Sequence, residues 1–382
     1  MADLENLDQL RAWLGTQPRE VSEAISSRAA MRMLPALGRS DVKNPERHRS
    51  MVILVVFRTL ALCWAATTGS VRRPEIVALA ATFIAEVERA LERAAVATAV
   101  FEGDPPEAAE MARRALLSVD AVEYGFHALA TFGVQSYDEV LAKAEDVLVY
   151  QEPHDGFRMY AADAAVISGG RSPAALVSRP LWNDALSGEM AEDWSTLKSH
   201  LLAANEGWEV WTDWYEARLR GDPFDAELER ARALIPEEIW RQGPRAVNAG
   251  IARLIAARRE AAHSAMLDRI AALEAQLAAP RAEGPAPIGH NNPPKTIRDE
   301  IQPPLDALRR QPVTPDTTAE AVAAVGRLRT ALSRVTGYAG RKLDLFIDEA
   351  VREGGKQFGK WATIALVVGA ATAWLRTLGV AP

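Results

Sequence analysis

Glu260-Ala-Ala-His263 places a carboxylate and an imidazole one helical turn apart, the spacing with which helical bundles hold metal ions. A carboxylate-bridged di-metal centre needs two such pairs and two further carboxylates. Glu123-Tyr-Gly-Phe-His127 has a different offset, so the set is incomplete. Glu206, Glu209, Asp213 and Glu216 recur at steps of 3, 4 and 3, which suits either a hard cation or a solvated helix edge. Without partner histidines the solvated edge is the better reading. Glu152-Pro-His154-Asp155 sets an imidazole among carboxylates in a turn, but acid–base work needs a second group and a pocket. Motifs for phosphate cradles, dinucleotides, zinc proteases and nucleophile elbows are absent from the sequence. Cys63, the single cysteine, excludes an internal disulfide or a cysteine-based zinc site and reads as a buried thiol. These residues predict no catalytic site, no metal and no cofactor, and they favour binding over enzymatic activity.

Aromatic residues offer a different chemistry. Six of the ten tryptophans lie between Trp182 and Trp240. On one helix over 194–220, Trp194, Leu197, Leu201, Ala204, Trp208, Trp211 and Tyr215 would share a face. Such a stripe is what a packed core seam produces; a face for a planar or cationic ligand is the alternative. Trp214 falls off the stripe and heads a candidate contact surface with Trp211 and Tyr215 beside it.

The elements that must position these residues are helices. Sustained alternation and hairpin signals are missing, whereas 3–4 spacing of apolar residues recurs along the chain. The fold class is therefore all-α, a multi-helix array. Helices are predicted over 4–15, 19–37, 46–68, 74–101, 105–133, 137–149, 156–168, 194–220, 223–234 and 244–279. Met51-Val-Ile-Leu-Val-Val-Phe57 continues through Arg58 to Trp64. A central arginine costs roughly 2.5–3.5 kcal/mol in a bilayer, so this run is expected as a core helix with Arg58 paired. Residues 1–279 form a helical body with a possible sub-boundary near 169–180. Five prolines within 280–294 make that stretch a linker, since each removes a backbone donor and fixes φ. Residues 295–382 form a tail module with helices near 297–311 and 317–336 and a final pair. The stripe Val322, Val325, Leu328, Leu332, Val335 and Ala339 needs a partner helix from the module or a second subunit.

A net charge of −7 argues against nucleic acid as a partner. The charge is uneven: residues 295–382 carry 13 Lys/Arg and 9 Asp/Glu. The acidic N-terminus has no apolar signal segment, which suggests a cytoplasmic body. Arg outnumbers Lys, 37 to 7, a composition typical of GC-rich bacterial genomes.

The tail ends in 15 uncharged residues, 361–375, closed by Lys360 and Arg376. Trp361, Ile364, Leu366, Val367, Val368, Trp374 and Leu375 form its apolar surface, flanked by Lys356, Lys360 and Arg376. At ~1.5 Å per residue the run reaches ~22 Å against a ~30 Å hydrocarbon core. Two expectations follow: attachment to the inner face of a membrane by the C-terminus, or self-association with this helix as a seam. Gly369, Ala370 and Ala373 supply small residues for close helix contact in either setting.

Ile288-Gly-His-Asn-Asn-Pro-Pro294, followed by short helices and an apolar C-terminal helix, resembles a tail found on uncharacterised bacterial proteins. The segment from Trp194-Ser-Thr-Leu-Lys198 to Trp208-Glu-Val-Trp-Thr-Asp-Trp-Tyr215 is similar to a stretch in some of the same proteins. The resemblance implies a separable tail module and no particular activity. The expected function is a non-enzymatic, membrane-tethered binding, scaffold or membrane-acting protein, with a protein or small molecule bound by the body. The alternative is a soluble oligomeric interaction protein.

Overall fold

Left-handed backbone at Asn205 (φ 51°) and Gly207 (φ 76°) ends one tryptophan-bearing helix and sets the direction of the next. A computed structural model describes residues 4–39, 46–69, 71, 155–183, 186, 188–222, 224–278, 295–310, 315–353, 361–378 and 380. Among these, fourteen α-helices and no strand occur, so the all-α class holds. In chain order they are α1 (Leu7–Leu14), α2 (Arg19–Met33), α3 (Glu46–Thr67), α4 (Asp155–Ser168), α5 (Ala174–Val177), α6 (Gly188–Ala203) and α7 (Glu209–Arg220). There follow α8 (Ala226–Ala233), α9 (Glu237–Trp240), α10 (Pro244–Ala278), α11 (Lys295–Arg309), α12 (Pro315–Thr336), α13 (Arg341–Arg352) and α14 (Ala362–Thr377). The helices expected over 74–101, 105–133 and 137–149, the linker 280–294 and the Gly-His-Asn-Asn-Pro-Pro segment lie outside the described residues.

The single helix expected over 194–220 is α6 and α7 with a turn between them. Asparagine and glycine tolerate the left-handed region that the turn requires, and α7 then ends on Gly221 at φ 71°. A Cβ on Gly221 would stand 2.5 Å from the Pro180 nitrogen, so the close approach of the 179–180 loop also demands glycine. Asp225 caps α8 by accepting from the Glu227 and Leu228 N–H groups at 3.0 and 3.3 Å.

Two compact units divide the chain, residues 1–254 and 255–382. The division falls within α10, upstream of the Pro-rich stretch expected to separate domains. Met266, Ile270 and Leu273, from the later half of α10, share a core with the tail helices. In the first unit, α2 packs on α3 and α4, and the 3-10 turn Leu34–Arg39 packs on α6. Leu10, Leu14, Val21, Ile25, Tyr160, Ile167 and Leu176 form one of its apolar clusters. The 169–180 stretch belongs to this unit and marks no boundary between the two compact units.

In the second unit, α11 carries Pro303 and Pro304 inside the helix. Ile301, Leu305 and Leu308 from α11 nevertheless meet Val325, Leu328 and Leu332 from α12. The α12 stripe thus finds its partners within its own unit. α14 completes the same core: Val367, Val368 and Leu375 are each 0% exposed, and Ile364, Leu366 and Trp374 are buried with them. Burying those first three side chains contributes roughly 5–9 kcal/mol gross, an upper bound on the extended-chain reference. This corrects the expectation that the apolar segment must find a partner beyond its own chain. Gly369 is the reason α14 can approach α13 so closely, because a Cβ there would stand 2.4 Å from Val351 Cγ2. Gly369 and Ala370 of the small-residue surface are used inside the unit, whereas Ala373 is exposed. Among the described residues, no helix is long and apolar enough to cross a membrane.

Candidate functional site

Phe57, from the apolar middle of α3, lies with its ring 5.1 Å from Trp211, 6.1 Å from Trp208 and 6.4 Å from Trp214. These rings form an interior that α3 and α7 build together. Trp214 stands T-shaped to Trp211 at 5.8 Å, and Trp240 reaches the same group from α9. Buried indoles need acceptors. Trp211 Nε1 donates to Asn248 Oδ1 at 2.8 Å, Trp214 Nε1 to Glu229 Oε2 at 2.9 Å, and Trp240 Nε1 to the Ile235 carbonyl at 3.0 Å. The Tyr215 hydroxyl donates to the Met31 carbonyl at 3.1 Å, and burial pushes its pKa well up.

Trp211, Trp214 and Tyr215 were expected to form a contact surface; they are interior instead. Trp214 is 4% exposed and the other two are fully buried. The off-stripe position of Trp214 does not reach solvent because α8 covers it, with Glu229 accepting its N–H. The core-seam reading fits Trp194, Leu197, Leu201, Trp208, Trp211 and Tyr215, all buried, whereas Ala204 is exposed at the turn.

Buried arginines surround the aromatic interior. The Arg58 guanidinium lies 4.6 Å from the Trp240 ring centroid and pairs with Glu237 at 2.6 Å, as the core reading of α3 requires. Arg232 Nη1 donates to Glu229 Oε1 at 3.0 Å, while Arg218 Nη1 stands 3.9 Å from the same oxygen. Burial pushes the Arg218 pKa down, and Glu229 opposes that shift. A second cluster ties α2 to α4. Asp163 Oδ2 accepts from Arg28 Nε at 3.0 Å and from Arg32 Nη2 at 2.7 Å. Arg28 also donates to the carbonyls of Leu176 and Pro180, each at 2.7 Å, and Arg32 donates to Leu181 O at 2.7 Å. The 176–181 loop is thus fastened to α2. Desolvation brings the Arg28 pKa down to about 10, against the attraction of Asp163.

Sequence reasoning missed both clusters. Arg28 and Arg32 are one helical turn apart, and so are Glu229 and Arg232. That spacing ordinarily marks exposed pairs, and nothing local to it shows that the partner lies across the core.

Among the described residues, those singled out for chemistry are not assembled into a site; Glu123, His127, Glu152 and His154 lie outside the described residues. His263 stacks on Trp374 at 4.9 Å, and Glu260 is exposed. Glu216 accepts from Lys198 at 2.5 Å, and Glu206 accepts from Trp208 Nε1 at 3.2 Å across the turn that breaks the supposed acidic face. Among the described residues, no group of three or more His, Cys, Asp or Glu could hold a metal ion. Cys63 is fully buried and its thiol pKa is pushed far up by desolvation. An open hollow of about 440 Å³ lies beside the α6–α7 turn, lined by Asn205, Glu206, Glu209, Arg245 and Asn248 among others. Asn248 at its floor is engaged with Trp211 and with the Glu206 carbonyl.

Of the tail residues, Trp361 is half-buried, and Ile364, Leu366, Val367, Val368, Trp374 and Leu375 are buried. Arg376 is exposed, and Lys356 and Lys360 lie outside the described residues. No family model matches the chain, no curated protein matches its sequence, and no solved structure matches its fold.

Proposed function

We infer that the chain is a non-enzymatic helical scaffold that binds another protein through the second unit. The observation that supports this reading most is Leu345, a large apolar side chain exposed on α13 beside a buried core. Leu343, Ile347 and Ala350 face the core, whereas Leu345 is 58% exposed and Val351 49%. Tyr338 is also exposed and stands T-shaped to Phe346 at 5.7 Å. Because α14 is largely buried in its own core, α13 rather than the apolar tail offers an apolar anchor to a partner among the described residues of the second unit.

The charges around Leu345 favour protein over lipid. Arg341, Lys342 and Arg352 share this helix with Asp344, Asp348 and Glu349. A surface meeting anionic headgroups carries one sign of charge, while a protein interface surrounds an apolar anchor with a mixed polar rim. Membrane tethering through α14 is therefore not part of the proposal. Self-association stays within it, with a second copy as one possible protein partner.

A photo-crosslinking residue placed at 345 in the full-length protein, irradiated in the producing cells, tests the reading. Discrete protein adducts at 345, absent from the same residue placed at exposed Ala271, are expected. Lipid adducts, or identical products from both positions, contradict it.

A further inference from the structure

Arg218, Glu229 and Arg232 are each 3% exposed, and two guanidinium groups there face one carboxylate. Asp222, the other acid near Arg218, is occupied by Arg220 at 2.8 Å. Arginine keeps its proton at neutral pH, so this interior cannot shed the extra charge as a buried lysine would. An uncompensated charge at such a depth is strongly unfavourable.

Donors are in surplus at the same place. Among the described residues, Arg218 Nε and Nη1, Arg232 Nε and the indole Nε1 of Trp64 are buried without hydrogen-bond partners. The Arg218 guanidinium lies 5.4 Å from the Trp64 ring centroid and 5.7 Å from that of Phe224. That of Arg232 lies 5.7 and 5.6 Å from Trp211 and Trp214. Among the described residues, the surroundings are aromatic faces and orphaned N–H groups, with one carboxylate shared among Arg232, Arg218 and Trp214.

We propose that a chloride-sized monovalent anion binds beside Arg218 and Arg232 in the interior of the first unit. Water fits this environment poorly: it brings two hydrogens of its own and needs acceptors for them. An anion only accepts, and it removes the charge imbalance and the donor surplus together. The aromatic walls and near-complete burial favour a single-atom anion over sulfate or phosphate. The ion would be a structural ligand that stabilises the junction of α3, α7 and α8.

The full-length protein, dialysed free of halide, is melted in sodium gluconate and in gluconate–chloride mixtures of constant ionic strength. Chloride is expected to raise the midpoint saturably at its site, so that beyond the dissociation constant each tenfold increase adds roughly 3–5 °C. Arg218→Gln removes the surplus charge and is expected to abolish the chloride increment. Should that variant not fold, Trp64→Phe deletes one donor with little change of shape and is expected to weaken half-saturation several-fold. Crystals grown in bromide are expected to show an anomalous peak against Arg218 Nε. Identical wild-type melts in both salts, an increment that survives the substitutions unchanged, or density without anomalous signal would overturn the proposal.

Discussion

Replacing Asp163 by Asn is the sharpest perturbation of the first unit. The substitution keeps the side-chain volume and removes one charge. Asp163 is 3% exposed, and its Oδ2 is the anionic acceptor shared by Arg28 and Arg32. Without that charge, both guanidinium groups remain buried with backbone carbonyls as their chief acceptors. Breaking a buried pair by removing one partner costs about 3–5 kcal/mol. For a cooperative unit of 150–250 residues this lowers the melting midpoint by roughly 6–20 °C. Calorimetry of the full-length protein measures it, with Arg309→Gln as the control. Arg309 pairs with Glu274 at a partly exposed position, and such a pair is worth at most ~1 kcal/mol. A loss for Asp163→Asn no larger than the control's would refute the claim that this carboxylate carries the α2–α4 junction.

Gly369→Ala drives a Cβ into Val351 and is expected to destabilise the second unit by about 1–3 kcal/mol, with Val351→Ala restoring most of it in chemical denaturation. Leu375→Ala leaves a cavity in the same core and is expected to cost about 2–5 kcal/mol by the same measurement. His263 is held below its ordinary value of 6.5 by desolvation, against a backbone hydrogen bond at Leu308. The unfolded chain then takes up a proton that the folded chain resists, so stability is lost as pH falls through 6.5 and is fully present above it. A stability–pH profile checks this, and His263→Phe is expected to flatten that part of the curve.

Periodicity made most helices legible, because apolar residues at 3–4 spacing report which face is buried. It placed a helix over 244–279, where α10 runs Pro244–Ala278. The error at α6–α7 arose where the stripe stays in phase through a turn: Trp208 and Trp211 continue the spacing although Asn205 and Gly207 reverse the chain. Uncharged length at 361–375 marked an apolar helix, most of whose large side chains are buried in the core of the second unit. Length alone does not distinguish lipid from α12 and α13, the helices that pack against it. The arginine clusters were invisible for a different reason. Arg28 and Asp163 are distant in sequence, and an interior placement of so many guanidinium groups contradicts the usual preference of charge for water.

Hydrogen exchange across 362–377 tests the account most directly, because the proposed binding role of α13 depends on α14 having its partner within its own unit. In the full-length protein, those amides are expected to exchange slowly at both low and high protein concentration. Anionic vesicles should leave the rates unchanged. Rapid exchange in dilute solution, with protection appearing only on adding vesicles or raising the concentration, would contradict it.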